Sequence, residues 1–162
     1  MSRYVPKYNP RSSELDLSDK LIRSIDGDTF SCFTNLGWLY LDSNQIESLE
    51  PNTFSSLTNL TDLWLFRNKL VSLHPHTFRT LFRLKVLYLE ENNLMEIHED
   101  TFKNLRNLCW LSLKKNGLRT IESSTFSGLF NLKKVYIGGN QLDLLDSSWI
   151  ENSRFKNIID FS

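Results

Sequence analysis

The chain has 162 residues, of which 40% are hydrophobic and 23% charged, and its 19 basic side chains are balanced by 19 acidic ones. This length is that of one ordinary domain, and the lack of a basic excess argues against a protein that binds nucleic acid. No apolar run approaches the ~18 residues of a membrane-spanning helix, and two cysteines are too few for a disulfide scaffold.

The sequence is built from a repeat with a period of 24 residues. We expect a lead-in or cap over residues 1–11 and a single repeat domain over 12–162. That domain comprises a degenerate unit at 12–35, five full units from Leu36, and the start of a further strand at 156–162. Since the chain stops at Ser162 within this last strand, we expect it to be a fragment of a longer protein.

Rows of equivalent residues define the units. They are Leu36, Leu60, Leu84, Leu108 and Leu132 at the first position, Leu39, Leu63, Leu87, Leu111 and Val135 at the fourth, Leu41, Leu65, Leu89, Leu113 and Ile137 at the sixth, Asn44, Asn68, Asn92, Asn116 and Asn140 at the ninth, and Phe30, Phe54, Phe78, Phe102 and Phe126 at the nineteenth, with Ile150 in the last unit.

Apolar and polar residues alternate near the start of each unit, which predicts a short strand with one apolar face. One unit cannot bury that face alone, so the units should stack. The predicted fold is a right-handed, curved solenoid with a concave parallel β-sheet and a convex side of loops and short helical turns. We expect the Asn row to pair backbone groups, the Phe row to fill the interior, and the Thr before each Phe to cap a helical turn.

Residues between the strand leucines should point onto the concave face, because side chains alternate along a strand. Three of the four tryptophans and three of the five tyrosines fall there. Such a patch indicates a recognition surface, although the rings could instead stack along the sheet and only stabilise it. The predicted apolar contacts are Trp38, Tyr40, Trp64, Phe66, Tyr88 and Trp110.

Charge is also sorted along this face. Its first two-thirds are acidic, with Arg67 as the main exception, and its last third is basic. The acidic residues are Glu14, Asp16, Asp19, Asp42, Asp62, Glu90 and Glu91, and the basic ones are Lys114, Lys115, Lys133 and Lys134. Carboxylates favour a cationic or hydroxyl-rich partner, so Asp42, Asp62, Glu90 and Glu91 are the predicted polar contacts; the alternative is an ordinary charged surface.

The unit, with L-x-x-L-x-L-x-x-N-x-L at its start and Phe at its nineteenth position, resembles the typical extracellular leucine-rich repeat of variable lymphocyte receptors and Toll-like receptor ectodomains. The resemblance covers about Ser12 to Ser162. It implies a non-catalytic recognition protein of innate or variable-receptor-like immunity, extracellular or at the cell surface. Such a protein would bind a bacterial cell-surface component or a protein antigen through the concave face, as a monomer or weak dimer.

Two alternatives stay open. One is a cell-adhesion or signalling scaffold that uses the same face for a protein partner or for self-association. The other is an intracellular scaffold with reduced thiols. Cys32 and Cys109 lie roughly 20 Å apart along the stack at strand spacing, too far for a disulfide, so both are expected to be free thiols.

The fifteenth positions of two neighbouring units are His74 and His98, flanked by carboxylates at Glu50, Glu122 and Asp146, with His76 nearby. Imidazole and carboxylate suit zinc, but a solvated loop edge is the favoured interpretation. The repeat brings together no Ser, His and Asp set and no Cys and His pair, so neither an enzyme nor a cofactor is expected.

Overall fold

The computed structural model describes residues 8–142 and 154–162, and its regular structure is one parallel sheet of seven short strands in chain order. The strands are β1 (Glu14–Asp16), β2 (Trp38–Tyr40), β3 (Asp62–Trp64), β4 (Val86–Tyr88), β5 (Trp110–Ser112), β6 (Lys134–Tyr136) and β7 (Ile159–Asp160). Each strand pairs with the next at the offset of one repeat, as Leu39 does with Leu63. The predicted solenoid of leucine-rich coils is confirmed.

The interior is filled by the leucine rows and by a column of phenylalanine rings. Leu39, Leu63 and Leu87 have no exposed surface. The ring centroids of Phe54 and Phe78 lie 6.1 Å apart and nearly parallel, and this stacking continues from coil to coil. Burial of one such ring stabilises the fold by roughly 1.5–3 kcal/mol, so the Phe column joins the coils on the side opposite the sheet. Ile150, predicted to extend it, lies outside the described residues.

The asparagine row forms a hydrogen-bonded ladder, as predicted. The amide nitrogen of Asn68 donates to the carbonyl of Leu41, in the coil before, at 2.9 Å and to that of Leu65 at 3.1 Å. Its Oδ1 accepts from the backbone N–H of Ile46, also in the coil before, at 3.0 Å. The row thereby satisfies buried backbone groups that would otherwise lack partners.

The eighth residue of each unit, which precedes the asparagine in the five full units, has a left-handed backbone that the repeat pattern alone does not reveal. The eighth positions of the units, with φ between 50° and 71°, are Asp19, Ser43, Arg67, Glu91, Lys115 and Gly139. An L-residue in this conformation costs roughly 1–2 kcal/mol. In return, the N–H groups of the first five of these residues continue the bonding between coils; that of Ser43 donates to the carbonyl of Phe66 at 3.0 Å.

The convex side consists of turns, with one 3-10 helix at Ser123–Phe126 among the described residues. The prediction that threonines cap these turns is wrong for three coils, since the buried hydroxyls of Thr53, Thr77 and Thr101 have no hydrogen-bond partner. The 3-10 helix likewise begins after Glu122 without a side-chain cap. These threonines lie just before the Phe column, so their side chains are drawn into the interior rather than along the turn.

Candidate recognition surface

Tyr40, Trp64 and Tyr88 form a continuous row of rings on the concave face, which we call the aromatic row. The rings of Tyr40 and Trp64 stack with centroids 4.2 Å apart and 10° between their planes. Trp64 meets Tyr88 edge-on at 6.4 Å. The indoles of Trp38 and Trp110 flank the row and are 42% and 38% exposed. The structure thus brings Tyr40, Trp64 and Tyr88 into ring contact on a half-buried surface.

The row is interrupted at Ser112, which lies on β5 between Tyr88 on β4 and Tyr136 on β6. Strand alternation predicts that Ser112 points to solvent, yet the residue is only 1% exposed and its hydroxyl has no hydrogen-bond partner. A two-atom side chain between two tyrosines does not reach past their rings. Ser112 therefore occupies an outward position of the strand but is buried, and the row of rings is broken there.

Four carboxylates surround the first part of the row: Glu14, Asp16, Asp42 and Asp62. Two of them accept short hydrogen bonds from neighbouring hydroxyls, at 2.6 Å from Ser18 to Asp16 and at 2.6 Å from Thr61 to Asp62. Among residues 8–142 and 154–162, none of the four forms an ion pair. Glu14 and Asp16 are acidic positions that the sequence did not place among the predicted contacts, and they belong to the same cluster.

Burial, together with the nearby negative charges, raises the pKa of two side chains on this part of the face. Burial raises the pKa of the Tyr40 phenol, and the charges of Glu14, Asp62 and Asp16 raise it further. Burial also raises the pKa of Asp42, opposed by a hydrogen bond from Ser43 and reinforced by Asp16. The ionised forms of Tyr40 and Asp42 are therefore disfavoured by lost hydration and by like charges.

In the middle of the concave face, the charged side chains pair with one another. Glu91 accepts a hydrogen bond from the Arg67 guanidinium at 3.1 Å and another from the Lys115 ammonium at 3.1 Å. The hydrogen bond from Lys115, followed by that from Arg67, lowers the pKa of Glu91. Arg67 also lies 6.0 Å from the ring centre of Phe66. Two predicted contacts, Glu91 and Phe66, are thus already engaged by the chain's own cations.

The last part of the face carries lysines over its aromatic rings. The Lys133 ammonium lies 5.3 Å from the ring centre of Trp110, and that of Lys134 lies 5.7 Å from the ring centre of Tyr136. Lys134 also pairs with Asp160 at 2.9 Å. Glu90, the remaining predicted contact, lines a shallow depression with Glu91, Lys114 and Lys115. The predicted sorting of charge holds within the described residues.

His74 and His98 accept hydrogen bonds from backbone N–H groups within the turns. His74 Nδ1 accepts the backbone N–H of His76 at 3.1 Å, and His98 Nδ1 accepts that of Asp100 at 3.1 Å. The described residues contain no group of three or more His, Cys, Asp or Glu side chains arranged to hold a metal ion, while Asp146 lies outside them.

Cys32 and Cys109 are free thiols, as predicted. Over residues 8–142 and 154–162, the structure has no helix of the length and apolarity needed to span a bilayer.

Comparison with solved structures gives consistent neighbours. The Drosophila Toll–Spatzle complex matches with a TM-score of 0.81 and 30% identity over 93% of this chain and 21% of that chain. The TLR13–ssRNA13 complex matches with a TM-score of 0.74 and 35% identity, over 78% of this chain and 18% of that chain. The complex of Latrophilin 3, Unc5D and FLRT2 matches with a TM-score of 0.82 and 28% identity, over 94% of this chain and 48% of that chain.

The chain therefore spans less than half the length of each of these matched chains. Comparison with curated proteins gives no match. The leucine-rich-repeat family profile matches four overlapping segments, at residues 10–70, 34–94, 59–116 and 82–142. These segments cover most of the chain, in the same register as its strands. The chain belongs to the leucine-rich-repeat family.

Proposed function

We propose that the chain is a non-catalytic recognition protein that binds a microbial surface component or a protein antigen through its concave face. The aromatic row carries this proposal, because its three large rings lie side by side and are only half-buried. Tyr and Trp are enriched among the residues that dominate binding energy. Trp38 and Trp110 extend the row to neighbouring positions on β2 and β5.

The surrounding charges support recognition over a purely structural role. Stacking along the sheet would account for the rings, at roughly 0.2–1 kcal/mol per pair. It does not account for four neighbouring carboxylates that form no ion pair with any described residue, since like charges in proximity oppose folding. Hydrogen bonds from neighbouring hydroxyls satisfy some of these oxygens but leave the carboxylates without an ion-paired partner among the described residues, and such local departures from the most stable arrangement are typical of functional surfaces.

The relatives support an exposed binding role. Toll is seen in complex with Spatzle, as a hub in Drosophila development and innate immunity. TLR13 is seen in complex with single-stranded RNA, and FLRT2 in an assembly with Latrophilin 3 and Unc5D. For the present chain we propose the same kind of task, at the cell surface or outside the cell, with Asp42, Asp62, Glu90 and Glu91 as polar contacts.

Capture of the protein on whole bacterial cells tests this proposal. Trp64→Ala removes the centre of the aromatic row, and a second variant changes Asp42, Asp62, Glu90 and Glu91 to alanine. Phe82→Ala is the matched control, because Phe82 is an exposed ring (52%) outside the strands. We expect at least a tenfold loss of capture for Trp64→Ala, equivalent to about 1.4 kcal/mol, and none for the control. Equal capture by Trp64→Ala and the wild type would overturn the proposal.

The alternative of adhesion or signalling through a protein partner, or through a second copy, is favoured by the match to FLRT2 in an assembly with Latrophilin 3 and Unc5D. Light scattering separates self-association from ligand binding. A dimer that persists on dilution and is lost in Trp64→Ala would favour the alternative, whereas a monomer supports recognition of another molecule.

A further inference from the structure

We infer that the part of the concave face over β1–β3 takes a basic polypeptide segment, whose arginine or lysine side chains lie against Tyr40 and Trp64 and pair with the surrounding carboxylates. This inference rests on the proposed function and specifies the partner for that surface. It follows from a difference between the two ends of the face in how aromatic rings are matched with cations.

Towards the C-terminal end, the chain provides its own cations. Lys133 lies over Trp110 and Lys134 over Tyr136, and in the middle of the face Arg67 lies beside Phe66. Each arrangement is within the distance at which a cation is attracted to the face of a ring. Binding of a basic partner there would have to displace these side chains or accept their repulsion.

Towards the N-terminal end, the same ring chemistry occurs without a cation. Among the described residues, no Lys or Arg lies over Trp38, Tyr40 or Trp64. One face of the Tyr40 ring is stacked on Trp64, and its other side is towards β1, where the facing residue is the short Asp16. The adjacent strand therefore places a carboxylate, and not another ring, beside Tyr40.

The carboxylates there retain capacity to bind. Asp62 Oδ2 and Asp16 Oδ1 accept neighbouring hydroxyls, and the second oxygen of each group accepts no hydrogen bond from the described part of the chain. An ionised carboxylate accepts up to about four hydrogen bonds. The guanidinium of arginine is planar, so it can stack on a ring and donate two parallel hydrogen bonds to a carboxylate at once.

The charge contrast also sets the orientation of the partner. At the boundary between the two ends, Glu91 is paired with both Arg67 and Lys115, so this group carries a net positive charge. The basic part of the segment therefore lies over β1–β3, and the end that reaches β5 and β6 must be neutral or acidic. A uniformly basic peptide should occupy the first region alone.

Titration of the nitrogen-15-labelled protein with the peptide Gly-Arg-Gly-Arg-Gly-Arg-Gly tests this inference, with the indole resonances as local reporters. We expect the signals of Trp38 and Trp64 to shift in a saturable way while that of Trp110 stays unchanged. The lysine counterpart should bind more weakly, and the glutamate counterpart should leave Trp38 and Trp64 unchanged. Low ionic strength is used, because exposed charges are screened by salt.

The variant Asp42→Asn/Asp62→Asn should weaken binding of the arginine peptide about tenfold. Its matched control is Glu47→Gln/Glu96→Gln, which alters net charge equally at two exposed sites away from the sheet, and it should bind like the wild type. Preserved dispersion of the amide spectrum checks that each variant is folded.

Several results would overturn the inference: no saturable shift, shifts of Trp110 equal to those of Trp38, or equal weakening in the control variant. Such a failure is distinguishable from failure of the proposed function. If Trp64→Ala abolishes capture on cells while the arginine peptide does not bind, recognition by the concave face stands and only the basic partner is refuted.

Discussion

Ser43 illustrates the cost that single residues bear at the eighth position of the repeat. Its φ of 56° lies in the left-handed region, where glycine is tolerated without steric penalty. We expect Ser43→Gly to raise the free energy of unfolding by roughly 0.5–1 kcal/mol and Ser43→Val to lower it. The control Ser48→Gly, at an exposed position without positive φ, should be slightly destabilising. Urea denaturation measures all three; a loss of stability in Ser43→Gly would contradict this assignment.

Asp42 should destabilise the fold at neutral pH. Burial raises its pKa above the ordinary value of 3.8, so the folded chain holds this proton more tightly than the unfolded chain. The stabilisation that the protonated carboxyl of Asp42 gives to the fold is fully present below pH 3.8 and is lost as the pH rises through the folded pKa. We therefore expect Asp42→Asn to be more stable than the wild type at neutral pH and to gain nothing in acid below the ordinary pKa, as measured by urea denaturation.

Asp100→Asn should change stability at neutral pH in the direction opposite to Asp42→Asn. The hydrogen bond from Lys103 lowers the pKa of Asp100, so its contribution is present above the ordinary value of 3.8 and is lost as the pH falls through the folded pKa. This variant should be less stable than the wild type at neutral pH. Identical pH profiles for the two variants would be inconsistent with these assignments.

Several properties of single residues could not be predicted from the repeat. The sequence placed Ser112 in the outward row, but its burial depends on the size of the tyrosines on the two neighbouring strands. The ion pairs of Glu91 depend on side chains that lie one full coil away on each side. Alternation specifies the direction of a side chain and leaves open what its neighbours cover or bind.

Among structural elements, the asparagine ladder should be the most sensitive to substitution. Asn68→Ala removes four hydrogen bonds and leaves the buried N–H of Ile46 without its acceptor. Each unpaired buried group costs roughly 1–3 kcal/mol, so we expect a loss of about 2–4 kcal/mol in urea denaturation. Asn93→Ala, at an exposed neighbouring position, should change stability by less than about 0.5 kcal/mol. Equal effects of the two variants would refute a structural role for the ladder.

The strands themselves were predictable because the repeat has no insertion. With every unit 24 residues long, the pairing of Trp38 with Asp62 and of Asp62 with Val86 follows from the sequence alone. The structure of the convex turns could not be predicted in this way, because the role of Thr53 depends on whether its hydroxyl faces the turn or the Phe column. The predicted domain limits at residues 1–11 and 12–162 remain a prediction, and residues 1–7 lie outside those described.

For the whole molecule, the charge distribution argues against a nucleic-acid ligand, even though the matched TLR13 structure contains single-stranded RNA. The chain has a formal net charge of zero, and the carboxylates around β1–β3 form no ion pair with any described residue. Polyanions bind chiefly through clustered cations. Fluorescence anisotropy with a short single-stranded RNA at about 0.15 M salt should show no saturable binding; saturable binding that weakens with salt would contradict this expectation.

The asparagine ladder also gives the solenoid a direction. Asn68 serves the amide of Ile46 in the coil before it, whereas the equivalent amide of Leu70 is served by Asn92 from the coil after it. Loss of Asn68 should thus accelerate deuterium uptake at Ile46 and leave Leu70 protected. The substitution would thus expose an amide in the preceding coil together with carbonyls of its own coil, so each coil relies for part of its hydrogen bonding on the coil that follows it.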